Sequence, residues 1–359
     1  MNKKRVLVAI SGGVDSSIAA AILKEQGYEI IGATMKIWSG EQCGKHGPRS
    51  CCSLKDIEDA KRVCDALGIR HYVLNFEEVF RKEVIDYFAS EYLAGRTPNP
   101  CIVCNEKIKF GRLLKKAMEL ECDFISTGHY ARIENNGVYK LKEALDKSKD
   151  QSYVLFSLSS AQIQKVIFPI GDFTKDDVKA RAEELGLDVY KKPESQEICF
   201  VPNDNYQDFI KEYCGTEIKE GDIVDAAGKV LGRHKGFWNF TIGQRKGLGV
   251  SHKTPLYVVG IRPDENIVVA GEFAEVKKKR FVVRGVSWFY KGSSNDSFEA
   301  EVKIRYNHKK AKAWLKAIGG NGVEVEFQEA QEAITPGQAA VFYDNEYVLG
   351  GGWIEKVLA

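Results

Sequence analysis

The sequence lacks any apolar run near the roughly 18 residues of a membrane-spanning helix. Its first residues, MNKKRVLVAISGG, reach a glycine turn before the apolar core of an export signal could form. Both absences predict a cytoplasmic chain without a membrane partner. A charge excess is missing too: 52 Lys and Arg against 50 Asp and Glu give a formal +2. That excludes a polyanion-coating protein, so any nucleic-acid site has to be a local patch. Nine cysteines in 359 residues fall far below the ~8–10% of a disulfide scaffold, and the odd number fits reduced thiols kept for chemistry or ligation. There is no internal repeat and no low-complexity tract. At roughly 150 residues per domain the length predicts two to three domains, and 44% hydrophobic content is enough for sizeable cores.

Up to about residue 130, short β-rich runs alternate with helical periods. Arg5–Ile10, Glu29–Met35, His71–Asn75 and Asp123–Thr127 read as strands. Between them Ile18, Ala19, Ile22 and Leu23 share a helical face, and Ser53 with Asp56 forms a capping box ahead of a helix over Ile57–Leu67. Val79–Ala94 and Lys107–Leu120 read as further helices. This alternation predicts an α/β doubly wound parallel sheet. Helical signals return over 145–215, with Thr174 capping Lys175–Leu185. From Asp222 short alternating runs predict antiparallel β-barrel material: Leu256–Ile261, Asn266–Ala270, Glu301–Tyr306, Val323–Phe327 and Ala339–Tyr343. The expected division is 1–145, 146–215 as a helical extension, 216–272 as a small central β-rich domain, and 273–359 as a C-terminal barrel.

Ser11-Gly12-Gly13-Val14-Asp15-Ser16-Ser17 follows an apolar strand and opens a helix. There, free backbone N–H groups and the positive helix end favour a phosphate. It lacks the lysine of a Walker loop and the third glycine of a dinucleotide fingerprint. A second feature is the loop Gly95-Arg96-Thr97-Pro98-Asn99-Pro100-Cys101-Ile102-Val103-Cys104-Asn105. Ahead of a helix near Lys107 it would put Cys104 at a helix N-terminus beside Lys107 and Lys109, which favours thiolate. A lone Cys-x-x-Cys serves equally as half a zinc site, a redox pair or a structural coincidence. Cys199, between Ile198 and Phe200, alone reads as a small core residue. Cys64, Cys122 and Cys214 read as packing residues. Cys43, His46, Cys51 and Cys52 have ligand-like composition in a glycine-rich loop that reads as metal-free. Alternation over Glu301–Tyr306 puts Lys303 and Arg305 on one face and Val302, Ile304 and Tyr306 on the other. Lys277-Lys278-Lys279-Arg280 reads as a solvated turn.

Taken in order, SGGVDSS, Met35-Lys36, GRTPNPC-x-x-CN-x-x-IKF, Thr127-Gly128-His129-Tyr130, Lys149-Asp150-Gln151-Ser152-Tyr153, the Cys199 segment, the TIGQRKGLG run from Thr241, Arg305-Tyr306 and Thr335-Pro336-Gly337-Gln338 resemble the bacterial tRNA-specific 2-thiouridylase family. The resemblance covers essentially the whole chain. It implies an ATP pyrophosphatase that adenylates the C2 oxygen of the wobble uridine and replaces it with sulfur, releasing AMP and pyrophosphate. It further implies that ATP is held by Ala9, Ile10, Ser11, Gly12, Gly13, Val14, Asp15, Ser16, Met35 and Gly128, with Mg²⁺ offsetting the phosphate charge. The target base would lie against Asn99, Pro100 and Cys101, flipped from the anticodon stack. His129, Lys149, Asp150, Gln151, Arg305, Tyr306 and Gln338 would contact the tRNA anticodon arm.

By the same resemblance, Cys199 receives a persulfide from a sulfur donor or carrier protein and delivers it. Cys104 attacks that persulfide and then closes a disulfide with Cys199. The family's best-known form has an aspartate where this chain has Cys101. A thiol near its ordinary value of about 8.5 is only partly ionised at neutral pH, so it does not replace a carboxylate. Cys101, Cys104 and Cys199 instead suit three ligands of a [4Fe-4S] cluster whose open iron presents sulfide. Both mechanisms stand at the level of sequence, beside two rivals: another ATP pyrophosphatase ligase acting on a small substrate, and an RNA-binding sulfur carrier without catalysis.

Overall fold

The computed structural model describes residues 3–37, 54–191, 198–201, 203, 205–215, 219–289 and 297–358. Cys43, His46, Cys51, Cys52 and the expected Ser53 cap lie outside the described residues. Two compact units emerge, one of residues 1–85, 100–206 and 346–348, the other of 86–99, 207–345 and 349–359.

In the first unit, β1 (Arg5–Ala9), β2 (Glu29–Lys36), β3 (Arg70–Asn75), β4 (Phe124–Ser126) and β7 (Val166–Ile167) form a parallel sheet in the order β3-β2-β1-β4-β7; β5 (Ala131–Asn135) and β6 (Tyr139–Glu143) form a hairpin. The expected parallel sheet is thus present, widened by the two-residue β7, too short to leave a pattern in the sequence. Val6, Leu7 and Val8 are fully buried because both sheet faces are covered. Burying each such side chain is worth about 1.5–3 kcal/mol. Helix α1 (Val14–Glu25) presents Ile18, Ala19, Ile22 and Leu23 to this core, and α2 (Leu54–Leu67) adds Ala60, Val63 and Cys64. Strand order reverses at β1, with β2 on one side and β4 on the other. In open α/β sheets ligands bind at the carboxyl ends of strands at such a switch point.

The helix expected over Lys107–Leu120 begins earlier. Pro100–Val103 is α-helical, Cys104–Leu113 winds as a π-helix and Leu114–Glu119 returns to α. Pro100 suits the first turn because it has no N–H to leave unsatisfied. Cys104 therefore sits one turn inside the helix, not at its N-terminus, and Cys101 occupies the first turn.

In the second unit, β8 (Glu220–Val224), β9 (Val230–Lys235), β10 (Tyr257–Arg262) and β11 (Ile267–Gly271) form a sheet ordered β10-β11-β8-β9, around Ile223, Val258, Val268 and Ala270. Strands β12 (Lys277–Trp288), β13 (Phe298–Lys303), β14 (Ala311–Ile318), β15 (Gly322–Glu332), β16 (Ala339–Asp344) and β17 (Tyr347–Val357) run in the order β12-β15-β14-β13-β16-β17, and β12 pairs with β17. This closes the expected antiparallel barrel around Phe281, Val302, Leu315, Val325 and Phe342. Two expectations fail here. The Lys277–Arg280 run opens β12 instead of forming a turn, with Arg280 bonded to Glu324 at 2.6 Å. And although β13 ends at Lys303 and Ile304 is still buried with Val302 as the alternation predicts, Tyr306 lies in a turn, 37% exposed, with the Lys303 ammonium 5.5 Å from its ring centre.

Candidate functional site

The loop after β1 meets the loop after β4. Gly12 has φ +73°, and a Cβ there would fall 2.5 Å from the Asp56 carbonyl oxygen; only glycine fits. A Cβ on Gly128 would fall 2.6 Å from the Ser16 nitrogen, so the Thr127–His129 backbone lies against the head of α1. Within the loop the Ser11 N–H donates to Ser16 Oγ at 3.1 Å, and the Ser16 and Ser17 hydroxyls donate to the Gly13 carbonyl at 3.0 and 2.9 Å. Gly13 at the N-cap has no side chain to cap the leading amides of α1. The result is a cradle of backbone and hydroxyl groups at a helix N-terminus, which fits a polyphosphate. Ala9 and Met35 are half-buried at the strand ends. Ile10 is buried, its carbonyl accepting from the Thr34 hydroxyl at 2.8 Å.

Asp15 is engaged from outside the loop: Lys175 Nζ lies 2.7 and 2.9 Å from its two oxygens, and the Tyr130 hydroxyl donates to it at 2.8 Å. Neither partner stands out in the sequence as a site residue. Thr174 was legible only as a cap, which it is, with Asp177 completing the capping box.

The Lys149-Asp150-Gln151 motif braces this region. Asp150 is buried and accepts from the Ala144 and Ser152 amides at 2.9 and 3.2 Å and from the Ser152 hydroxyl at 2.8 Å. Burial pushes its carboxyl above the ordinary value against those hydrogen bonds. Gln151 pairs with the Tyr130 backbone, accepting from its N–H at 2.9 Å and donating its own N–H to the Tyr130 carbonyl at 2.8 Å. Lys149 is half-buried, with its N–H on the Asp146 carbonyl at 3.1 Å.

His129 is 7% exposed, against Phe110 and Phe168. Its Nδ1 is 2.7 Å from the Thr127 hydroxyl and its Nε2 is 3.4 Å from Lys109 Nζ. Lysine only donates, so Nε2 accepts and Nδ1–H donates to Thr127. Burial, then the Lys109 charge, holds this imidazole well below its ordinary pKa.

Cys101 is exposed at the start of the π-helical segment's lead-in, and Cys104 is half-buried. Asn105 is buried and donates to the Val154 carbonyl at 3.0 Å, fixing this helix. Cys199 is half-buried; the neighbouring Phe200 ring meets Phe80 edge-on at 5.7 Å. Among the described residues no three His, Cys, Asp or Glu side chains gather as a metal site. Cys64 and Cys122 are buried as expected, their thiols pushed by burial to about 12 and about 11, whereas Cys214 is exposed and not a packing residue.

In the second unit, Arg305 donates to the Ile242 carbonyl at 2.9 Å and the Thr335 hydroxyl at 2.5 Å. The Thr97 N–H donates to the Pro336 carbonyl at 2.9 Å, and the Gln338 amide donates to the carbonyls of Thr97 and Pro98 at 3.0 and 3.1 Å. Gln338 and the Pro336 carbonyl thus hold the chain leading to half-buried Asn99, while Arg305 ties Thr335 to Ile242. Pro100, next in sequence, is buried in the first unit.

Residues 4–203 match the family model described as tRNA methyl transferase HUP domain, 207–272 the tRNA methyl transferase PRC-barrel domain, and 278–354 the Aminomethyltransferase beta-barrel domain. The chain is 50% identical to the tRNA-specific 2-thiouridylase MnmA of Carboxydothermus hydrogenoformans, over 100% of this chain and 99% of that one. It is 50% identical to the protein of that name from Caldicellulosiruptor saccharolyticus, over 99% of each chain. With the Clostridioides difficile protein of that name it shares 46% identity over 100% of this chain and 99% of the other. Among the described residues no helix is long and apolar enough to cross a membrane.

Proposed function

The chain belongs to the tRNA-specific 2-thiouridylase family, and from that premise we propose how its residues carry out the reaction. It is a tRNA-uridine 2-sulfurtransferase that uses ATP. The observation that carries the mechanism is the side-chain-uncapped head of α1 facing Gly128 at the switch point of the sheet. This cradle holds the triphosphate through Ser11, Gly12, Gly13 and Ser16, and Mg²⁺ bound with it would offset the phosphate charge.

A uracil C2 oxygen is a poor leaving group. Adenylation by ATP, with loss of pyrophosphate, makes AMP the group that departs. Cys199 carries the persulfide supplied by a sulfur donor. The Cys104 thiolate attacks Cys199 Sγ, the S–S bond breaks, and hydrosulfide is released beside the activated base. Hydrosulfide adds to C2, AMP leaves, and the Cys104–Cys199 disulfide is reduced by an external thiol before the next turnover. No step of this relay passes through iron. The family resemblance assigns Asn99, Pro100 and Cys101 to the flipped wobble base, and Tyr306, with Lys303 against its ring, offers a stacking face to the anticodon arm.

The test is tRNA thiolation by protein purified without oxygen, iron-free or cluster-reconstituted, given ATP and either sulfide or a persulfide donor. Iron-free activity that depends on the persulfide donor is expected. Activity confined to the iron-loaded form with sulfide would replace the relay by a cluster of Cys101, Cys104 and Cys199.

A further inference from the structure

We infer that Lys175 is a positioning residue of the ATP site: it cancels the charge of Asp15 and holds that carboxylate so that the loop admits a triphosphate. The inference rests on the assignment of the Ser11–Ser16 loop to ATP. Asp15 stands in the first turn of α1, next to Ser16 and Gly128. A carboxylate there suits the helix end but opposes a polyphosphate bound at the same amides. The structure resolves that conflict from 160 residues away. Lys175 is buried, with its ammonium on both Asp15 oxygens at 2.7 and 2.9 Å. A buried lysine is costly unless paired, and Asp15, its partner, is only half-buried, its side chain left partly open to solvent.

The pair is held from several sides. The Lys175 amide donates to Asp146 at 3.1 Å, and Thr174 caps its helix. The Tyr130 hydroxyl gives Asp15 a further donor, while the Tyr130 ring lies 5.7 Å from the Lys175 ammonium. Gln151 fixes the Tyr130 backbone on both its N–H and its carbonyl. Segments around residues 15, 130, 151 and 175 thus converge on one carboxylate at the mouth of the phosphate cradle. A buried ion pair is weak evidence for stability, so the convergence on Asp15 is read through its place beside the phosphate loop.

Equilibrium ATP binding, measured beside steady-state thiolation at varied ATP, separates this role from a structural one. Lys175→Met should weaken ATP binding about tenfold or more and raise KM for ATP to match, with kcat at saturating ATP within about threefold of the parent. Lys175→Arg should bind ATP within about threefold of the parent. In Lys175→Met/Asp15→Asn the uncompensated charge is gone, so ATP binding should recover relative to Lys175→Met. Unchanged ATP affinity in Lys175→Met, or no recovery in the double variant, overturns the inference. Should Lys175→Met fail to fold, Tyr130→Phe carries the test: a two- to fivefold loss of ATP affinity is expected, and none overturns it. Parent protein that binds ATP without thiolating tRNA would instead refute the functional assignment, since binding is read independently.

Discussion

The Gln338 side-chain amide reaches back 241 residues to the Thr97 carbonyl and 240 to that of Pro98. One NH₂ group thereby closes two acceptors in the segment that delivers Asn99. The family resemblance assigns Gln338 to tRNA; in the structure its donors already hold protein. Its contribution to the reaction would then pass through the shape of the Thr97–Asn99 segment. Each bond is worth about 0.5–1.5 kcal/mol net. Gln338→Ala should therefore lower kcat/KM for tRNA about tenfold and leave KM for ATP unchanged. Gln338→Glu should do at least as much damage, because an ionised carboxylate would face two carbonyl oxygens. Thiolation kinetics with each substrate varied in turn would read both effects.

A methyl group separates two classes of glycine here. At Gly128 a Cβ would sit 2.6 Å from the Ser16 nitrogen and 2.7 Å from the Asp15 carbonyl carbon, both main-chain atoms of the phosphate loop. Gly128→Ala has to push that loop, and a loss of ATP affinity of tenfold or more, about 1.4 kcal/mol, is expected by titration. Gly137 has φ +89° with open space around its Cβ position. Gly137→Ala should lower unfolding free energy by about 1 kcal/mol through backbone strain and leave ATP affinity untouched.

How far the sequence reveals this molecule depends on the range of the interaction. The phosphate loop was legible because strand, glycine turn and helix are contiguous, and the Thr174 cap because its partner is three residues away. The parallel sheet followed from alternation, and the barrel from short runs between turns. What stayed hidden is held by distant partners: Lys175 on Asp15, and Gln338 on Thr97. The π-helical winding of Cys104–Leu113 was hidden for another reason. Its apolar spacing resembles an ordinary helix, and the Pro98-Asn99-Pro100 run reads as loop, which hides a helix start at Pro100 ahead of Cys104. The period of two outlasts β13 as far as buried Ile304 and fails at Tyr306, where the chain turns.

Acid should weaken the fold through His129. Its folded pKa lies well below the ordinary histidine value because of burial and then Lys109. Above about pH 6.5 the ring is neutral folded or unfolded and imposes no pH dependence. Below that the unfolded chain takes up the proton first, so stability is lost as pH falls towards the folded value, at up to about 1.4 kcal/mol per pH unit. His71, His234 and His308, also shifted down by burial, act with the same sign. Denaturant unfolding at pH 7.5 and 5.5 should show the parent losing stability, and His129→Gln losing about 1 kcal/mol less over the same interval. An equal loss in both would mean that His129 does not carry its share.

Alkylation should order the cysteines by access and by thiolate content. Cys64 and Cys122 are buried, and at pH 7.5 their pKa values of about 12 and about 11 leave almost no thiolate to react. Cys101 and Cys214 are exposed, whereas Cys104 and Cys199 are half-buried. Brief iodoacetamide treatment of the native reduced protein, followed by peptide mass mapping, should therefore mark Cys101 and Cys214 early and Cys64 and Cys122 only after denaturation. Cys104 and Cys199 should label in between. Their alkylation should abolish thiolation while leaving ATP binding intact, because the phosphate cradle is built from backbone and hydroxyl groups and contains no sulfur. Parallel loss of ATP binding would show that the thiol chemistry and the phosphate loop are not separable, and would count against assigning sulfur transfer to Cys104 and Cys199 alone.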